Sequence, residues 1–312
     1  MPAIEILGLE KTYSVGFWRK RPKRALRPLH LAVEEGEIFG FLGPNGAGKT
    51  TTLKMLMGLV YPTRGSARIL GRDVNDPQIK AQIGFLPEHP YFYDYLTAQE
   101  LLSYYGHLSG VPARDLPAKI DAMLKRVGLP EVAGVQLRKF SKGMLQRVGI
   151  AQAILHDPKV VFLDEPMSGL DPMGRREVRD LIEQLKKEGK TVFFSTHILS
   201  DAEALCDRVA IIHLGELRGV GVVADLTSSM QDRVEIVWQG SVPTSIAALG
   251  AECHLTGDTV RAVLPAEKQD AAIEILRREK LRLISVVPVR ATLEDYFLQK
   301  LKPAATPLEV MA

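Results

Sequence analysis

Cysteine is nearly absent from this chain: Cys206 and Cys253 are the only two in 312 residues, and they stand far apart. Such a sequence holds neither a disulfide framework nor a cysteine-built zinc cluster, and a reducing cytosol is its simplest setting. Long apolar runs are missing as well. No stretch approaches the roughly 18–20 residues that cross a bilayer, and Met1-Pro2-Ala3-Ile4-Glu5 lacks the basic-then-apolar layout of a secretion signal. Neither sign of charge dominates. Forty Lys and Arg against 37 Asp and Glu leave a net +3, which gives no global reason to expect a nucleic-acid partner. The local exception is Trp18-Arg19-Lys20-Arg21-Pro22-Lys23-Arg24. A solvated loop between two strands is the favoured reading of that run. The alternative is a patch for anionic lipid, at about 1 kcal/mol per basic residue. With 46% hydrophobic and 25% charged residues, the composition is that of a globular protein with room for about two domains.

What is present is more specific. Gly43-Pro44-Asn45-Gly46-Ala47-Gly48-Lys49-Thr50 fits the pattern G-x-x-x-x-G-K-[ST]. It lies between a short apolar strand, Ile38–Leu42, and a helix opening at Thr50-Thr51-Thr52. Its three glycines let successive N–H groups face inward at the positive end of a helix, an anion nest. Lys49 can reach β- and γ-phosphates and Thr50 can offer its hydroxyl to Mg²⁺, so this stretch implies a bound nucleoside triphosphate.

Short strands and turns run from Ile4 to Leu42, a β-rich N-terminal subdomain. Residues from about Tyr91 to Ala151 read as a helical insertion, with Thr97-Ala98-Gln99-Glu100 as a capping box and Ser141 heading a further helix. An α/β core resumes with the strand Lys159–Leu163, a helix from Gly174 to Lys187, the strand Thr191–Ser195, a helix capped by Ser200, and the strand Val209–Leu214. The expected fold is a P-loop NTPase core over 1–221, followed by a small α+β domain over 222–312 that carries no catalytic-looking cluster.

Val160–Leu163 ends in Asp164 and Glu165. A Mg²⁺-nucleotide needs a carboxylate near the metal, which suits Asp164. Hydrolysis needs a group that positions and deprotonates water, which suits Glu165 one residue on. Ser141-Lys142-Gly143-Met144 opens a helix and is a second anion-binding design. Ser168-Gly169-Leu170-Asp171 and the lone His197 after Ser195-Thr196 say little singly.

Taken in order and spacing, these motifs resemble the nucleotide-binding subunit of ABC transporters, over about Ile4 to Gly221. The resemblance implies a signature motif at Ser141–Met144, a D-loop at Ser168–Asp171, a switch histidine at His197 that contacts the γ-phosphate, and Tyr13 stacked on adenine. Lys142 and Met144 depart from the usual glycine and glutamine, and Glu88, after Leu86-Pro87, stands where a Mg²⁺-contacting glutamine is common. These departures, and the closing Thr292-Leu293-Glu294-Asp295-Tyr296-Phe297, look like the ABC-2 exporter branch.

The likeness implies ATP and Mg²⁺ as ligands and hydrolysis by Glu165, His197 and Lys49. It also implies a head-to-tail homodimer with ATP between Lys49 of one copy and Ser141 of the other. An integral membrane permease would be the partner, with the chain peripheral at the cytoplasmic face of the membrane; it would be reached through the aromatic surface Tyr91, Phe92, Tyr93 and Tyr95, whose alternative use is to pack the helical insertion. Two alternatives are a soluble ABC ATPase acting on DNA or ribosomes and a non-catalytic nucleotide-sensing module. One phosphate loop, no heptad array and two cysteines disfavour the first; Lys49, Asp164, Glu165 and His197 together disfavour the second.

Overall fold

In the computed structural model, which describes residues 2–16, 21–228, 233–289 and 292–301, two long strands open the chain: β1 (Pro2–Val15) and β2 (Arg21–Glu34). In β2, buried Leu29, Leu31 and Val33 alternate with exposed His30 and Ala32, the period of a sheet with one face covered. Next come β3 (Ile38–Leu42), α1 (Lys49–Leu56), β4 (Arg64–Ile69) and β5 (Arg72–Asp73). β1 pairs antiparallel with both β2 and β4, giving a first sheet of order β2-β1-β4-β5. One expectation is corrected here. Arg21, Pro22, Lys23 and Arg24 are not a loop but the first residues of β2, paired from Val15↔Arg21 to Thr12↔Arg24. Trp18, Arg19 and Lys20, on which the lipid-patch reading depends, lie outside the described residues.

The chain continues through β6 (Ile83–Leu86) and the helices α2 (Ala98–Leu108), α3 (Leu116–Arg126) and α4 (Lys142–Ile154). It then runs through β7 (Val160–Asp164), α5 (Pro172–Lys187), β8 (Thr191–Thr196), α6 (Leu199–Leu205), β9 (Arg208–His213) and β10 (Glu216–Val222). The second sheet has the order β10-β9-β3-β8-β7-β6, and its pairings from β9 to β6 are parallel. Every residue of β3, β7 and β8 is buried, which explains their almost unbroken apolar sequences. Phe193 sits at their centre, 5.5 to 5.6 Å from the rings of Phe39, Phe41 and Phe162. Each such pair adds about 0.5–1.5 kcal/mol beyond the area it buries.

Register decides where chemistry can occur. Leu42 pairs with Thr196, Asp164 with Ser195, and Leu86 with Leu163, so the carboxyl ends of β3, β8, β7 and β6 finish level. The segments that leave those ends begin with Gly43, His197, Glu165 and Pro87-Glu88. Open parallel sheets bind ligands at this edge.

The insertion is helical as expected. α2, α3 and α4 pack on one another, and α4 lies on β6. Thr97 and Glu100 form the capping box, with Thr97 N–H donating to Glu100 Oε2 at 2.8 Å and Glu100 N–H donating to Thr97 Oγ1 at 3.2 Å. Two helix starts differ from the sequence reading. α5 begins at Pro172, because Asp171 is its cap and accepts from Gly174 N–H at 2.8 Å. α6 is capped by Ile198 without a side-chain bond, and Ser200 lies inside its first turn.

Contacts divide the chain into two compact units, Met1–Gly221 and Val222–Ala312. The second unit contains α7 (Val223–Ser228), β11 (Arg233–Gln239), α8 (Thr244–Ala247), β12 (Glu252–Thr256), β13 (Thr259–Pro265), α9 (Gln269–Arg278), β14 (Arg282–Val289) and α10 (Leu293–Leu301). Its antiparallel sheet has the order β12-β13-β11-β14. Val234, Ile236, Trp238, Ile246, Leu264 and Leu276 form a core of their own there. The buried Trp238 indole satisfies its N–H on the Ser241 carbonyl at 2.9 Å.

Candidate active site

The phosphate loop is held from two sides and closed by a turn of its own. Gly43 N–H donates to the Thr196 carbonyl at 3.3 Å, Ala47 N–H to the Pro44 carbonyl at 3.1 Å, and Gly215 N–H to the Ala47 carbonyl at 2.9 Å. Gly48 takes φ 112°, a left-handed conformation, as the cap of α1, and a Cβ there would lie 2.7 Å from the Ala25 carbonyl oxygen. Only glycine meets both conditions. The nest therefore depends on β2 as well as on its own sequence.

Lys49 and Glu165 are each 5% exposed, and they face each other across the mouth of the sheet. Lys49 Nζ donates to the Gly43 carbonyl at 2.7 Å and lies 3.1 Å from Glu165 Oε1. That contact is an ion pair rather than an aligned hydrogen bond. The other carboxylate oxygen, Oε2, is 2.8 Å from His197 Nδ1 and accepts the His197 backbone N–H at 3.4 Å. Glu165 thus joins the phosphate-loop lysine to the histidine at the end of β8. Its backbone is itself unusual, with φ 50°, a conformation that costs a non-glycine residue about 1–2 kcal/mol. The turn persists because Glu165 N–H donates to the Ser195 carbonyl at 3.1 Å and to its hydroxyl at 3.3 Å.

Asp164, 2% exposed, accepts from Ser195 Oγ–H at 2.5 Å. Burial pushes its carboxyl above the usual carboxylate range; hydrogen bonds from Ser195 and Thr50 pull it back, and the charge of Glu88 raises it again. A cation beside Thr50, Asp164 and Glu88 would offset this penalty, so the donor set fits Mg²⁺. Among the described residues no group of three or more His, Cys, Asp or Glu is placed to hold a metal. Mg²⁺ does not need one, because it is bound through one or two carboxylates and completes its shell with water and phosphate.

A cleft of about 600 Å³ brings most of the expected residues together. Tyr13 of β1, Asn45, Gly46, Gly48, Lys49, Thr50 and Thr51, and the carboxylates Glu88 and Glu165 line it. Lys11 Nζ stands 5.0 Å from the centre of the Tyr13 ring. A second cavity of about 780 Å³ shares Thr50 and Glu88 and is lined also by Asp164, Pro90, Tyr91, Phe92 and Tyr105. Ser141 and Gly143 line neither cavity. Ser141 is exposed and caps α4 by accepting Met144 N–H at 3.2 Å. Sequence reasoning missed the role of Ser195, which is fully buried and ties Asp164 to Glu165. Lys23 and Arg24, noted in the sequence only as part of a basic run, line this cleft with Tyr13, which pairs with Lys23.

Comparison with known proteins agrees with this arrangement. Residues 26–168 match the family described as ABC transporter. An uncharacterized ABC transporter ATP-binding protein of Synechocystis is 44% identical over 301 residues, covering 96% of this chain and 84% of that protein. The bacitracin transport ATP-binding protein BcrA of Bacillus licheniformis is 46% identical over 198 residues, covering 62% of this chain and 64% of that protein. A solved dimeric ATP-binding cassette, in a post-hydrolysis state with ADP and Pi bound, superposes with a TM-score of 0.65 at 26% identity, covering 70% of this chain and 98% of that one. With kinship running along nearly its whole length and a phosphate loop facing an acidic strand end, this chain belongs to the ATP-binding subunits of ABC transporters and is an ATPase.

Proposed function

We propose that the chain powers an ABC-2 type exporter, in which two copies bind ATP between them and drive a separate integral membrane permease at the cytoplasmic face of the cell membrane. The observation that carries this reading is the split of the phosphate-binding residues. Lys49 and Glu165 line the cleft and His197 joins them through Glu165, whereas Ser141 and Gly143 neither line the cleft nor contact these three. A head-to-tail homodimer brings the two sets together at two equivalent sites.

In each site Tyr13 takes the base and residues 43–51 take the phosphates. Thr50, Asp164 and Glu88 would hold Mg²⁺, which when bound neutralises charge on the transferring phosphoryl group. Arrival of the γ-phosphate offers Lys49 a second anion, so that Glu165 is released to orient and deprotonate water while His197 donates to the phosphate. Shared phosphate charge closes the dimer, and its loss after hydrolysis opens it.

No helix among the described residues is long and apolar enough to cross a membrane. Motion therefore has to reach another protein. Tyr91, Tyr93 and Tyr95 are 92%, 51% and 59% exposed, while Phe92 turns inward to meet the Tyr105 ring at 6.3 Å. Pro90, Tyr91, Phe92 and Leu108 line the groove that ends at Thr50 and Asp164, a suitable seat for a short helix of the permease. The relative named for bacitracin transport supports an exporter. The test is co-purification of the tagged chain from detergent-solubilised membranes. An integral membrane protein accompanies the wild type and is lost with Tyr91→Asp; equal recovery of the chain on protein-free lipid vesicles contradicts the permease.

A further inference from the structure

A second charged cluster lies in the same unit and has no part in the mechanism above. Asp201, in the first turn of α6, is 3% exposed, yet its Oδ2 makes no hydrogen bond. Arg175 Nη1 stands 3.8 Å from Oδ2, and Arg179 Nη2 stands 4.0 Å from Oδ1. Arg179 Nε is also buried without a hydrogen bond. These three side chains, with Leu170, Pro172 and Ser200, line a cavity of about 380 Å³. The carboxylate is buried while the two arginine side chains stay 31% and 35% exposed, so among the described residues Oδ2 has left water for an ion pair of 3.8 Å and no hydrogen bond, a costly arrangement. Burial raises its carboxyl and the two arginines lower it; smaller effects come from Glu165 and His197, which places the cluster within electrostatic reach of the active site.

Topology gives the cluster a use. Arg175 and Arg179 are one turn apart on α5, so they share a face. Asp201 is four residues beyond His197, and the intervening start of α6 has no side-chain cap. The end of β8 fixes the chain before His197. After it, α6 packs on β3 and β8, and the ion pairs of Asp201 with Arg175 and Arg179 tie its first turn to α5, as Lys186–Asp207 ties the chain beyond its end. We propose that the Arg175–Asp201–Arg179 cluster anchors α6 and so holds His197 in line with Glu165, which makes Asp201 a positioning residue for ATP hydrolysis.

The proposal rests on the reading of His197 as a phosphate-contacting group, and the experiment separates the two. In the full chain, kcat and KM for ATP hydrolysis are measured for Asp201→Asn, His197→Ala and the double variant. Asp201→Asn lowers kcat by roughly tenfold or more, as expected when an aligned group is displaced, with KM changed less than about twofold. In the His197→Ala background the same substitution changes kcat by less than about twofold, because there is no histidine left to align. Asp201→Glu, which keeps the charge, recovers part of the loss. An unchanged kcat in Asp201→Asn, or an equal proportional loss in both backgrounds, overturns the proposal. An unaffected His197→Ala chain overturns the reading of His197 instead. Should Asp201→Asn fail to fold, Arg175→Gln replaces it in the same cycle, with the same outcomes deciding.

Discussion

Glu165 carries more constraints than any neighbour: a left-handed backbone, a buried carboxylate, and one oxygen each for Lys49 and His197. Glu165→Gln keeps the shape and removes the charge. Its ATP turnover falls by about 10²–10⁴ while ATP still binds, as a lost general base requires. Steady-state phosphate release and fluorescent-nucleotide binding on the same protein check both halves, and near-normal turnover removes Glu165 from the role. At this scale much of the site was legible. Although His197 takes its meaning only from its order among the other motifs, Gly43–Thr50, Asp164 and Glu165 announce themselves because polar or glycine residues sit beside runs that must be buried. Ser195 did not, since a serine at a strand end has no pattern until Asp164 is seen accepting from it. Asp201 was hidden for the same reason, its meaning coming from arginines more than twenty residues away in sequence.

Among the elements, apolar strands were read almost to the residue, because strands covered on both faces leave little choice of side chain; Ile38–Leu42 is one such case. Edge and half-exposed strands were not. Arg21–Arg24 resembles a solvated loop, and only pairing with Thr12–Val15 makes it strand. β14, Arg282–Val289, escaped notice because its exposed Leu283, Ile284 and Val287 show no alternation of apolar and polar residues. α4 illustrates a connection that no local pattern reveals. Just beyond its end, His156 places Nε2 3.0 Å from the Ile83 carbonyl of β6, and burial holds its imidazole below the ordinary 6.5. The folded chain therefore takes this proton at lower pH than the unfolded chain does. Stability from His156 is complete above 6.5 and falls away as pH drops through the folded value. His156→Gln keeps a donor and removes the titration. Between about pH 7 and pH 5 its melting temperature declines less steeply than that of the wild type. Asp164, Asp201 and Glu37, whose carboxyls are raised, act in the opposite sense and cancel in the comparison. Superimposable declines leave His156 without this role.

For the whole molecule, two compact units share one chain, and the residues of the candidate site all lie in the first. The phosphate loop, both carboxylates and the histidine meet at one sheet edge because four parallel strands finish level there. Ser141, at the head of α4 in the helical insertion, is not brought to that edge by folding of a single chain. In the proposed homodimer a second copy supplies it. Light scattering with size-exclusion chromatography on the Glu165→Gln chain tests this most directly, with saturating ATP and Mg²⁺, with ADP, and with Ser141→Arg added. A dimer is expected with ATP, a monomer with ADP, and a monomer under both nucleotides once Ser141 is replaced. A chain that binds ATP yet stays monomeric, or that dimerises equally well with Ser141→Arg, contradicts the account.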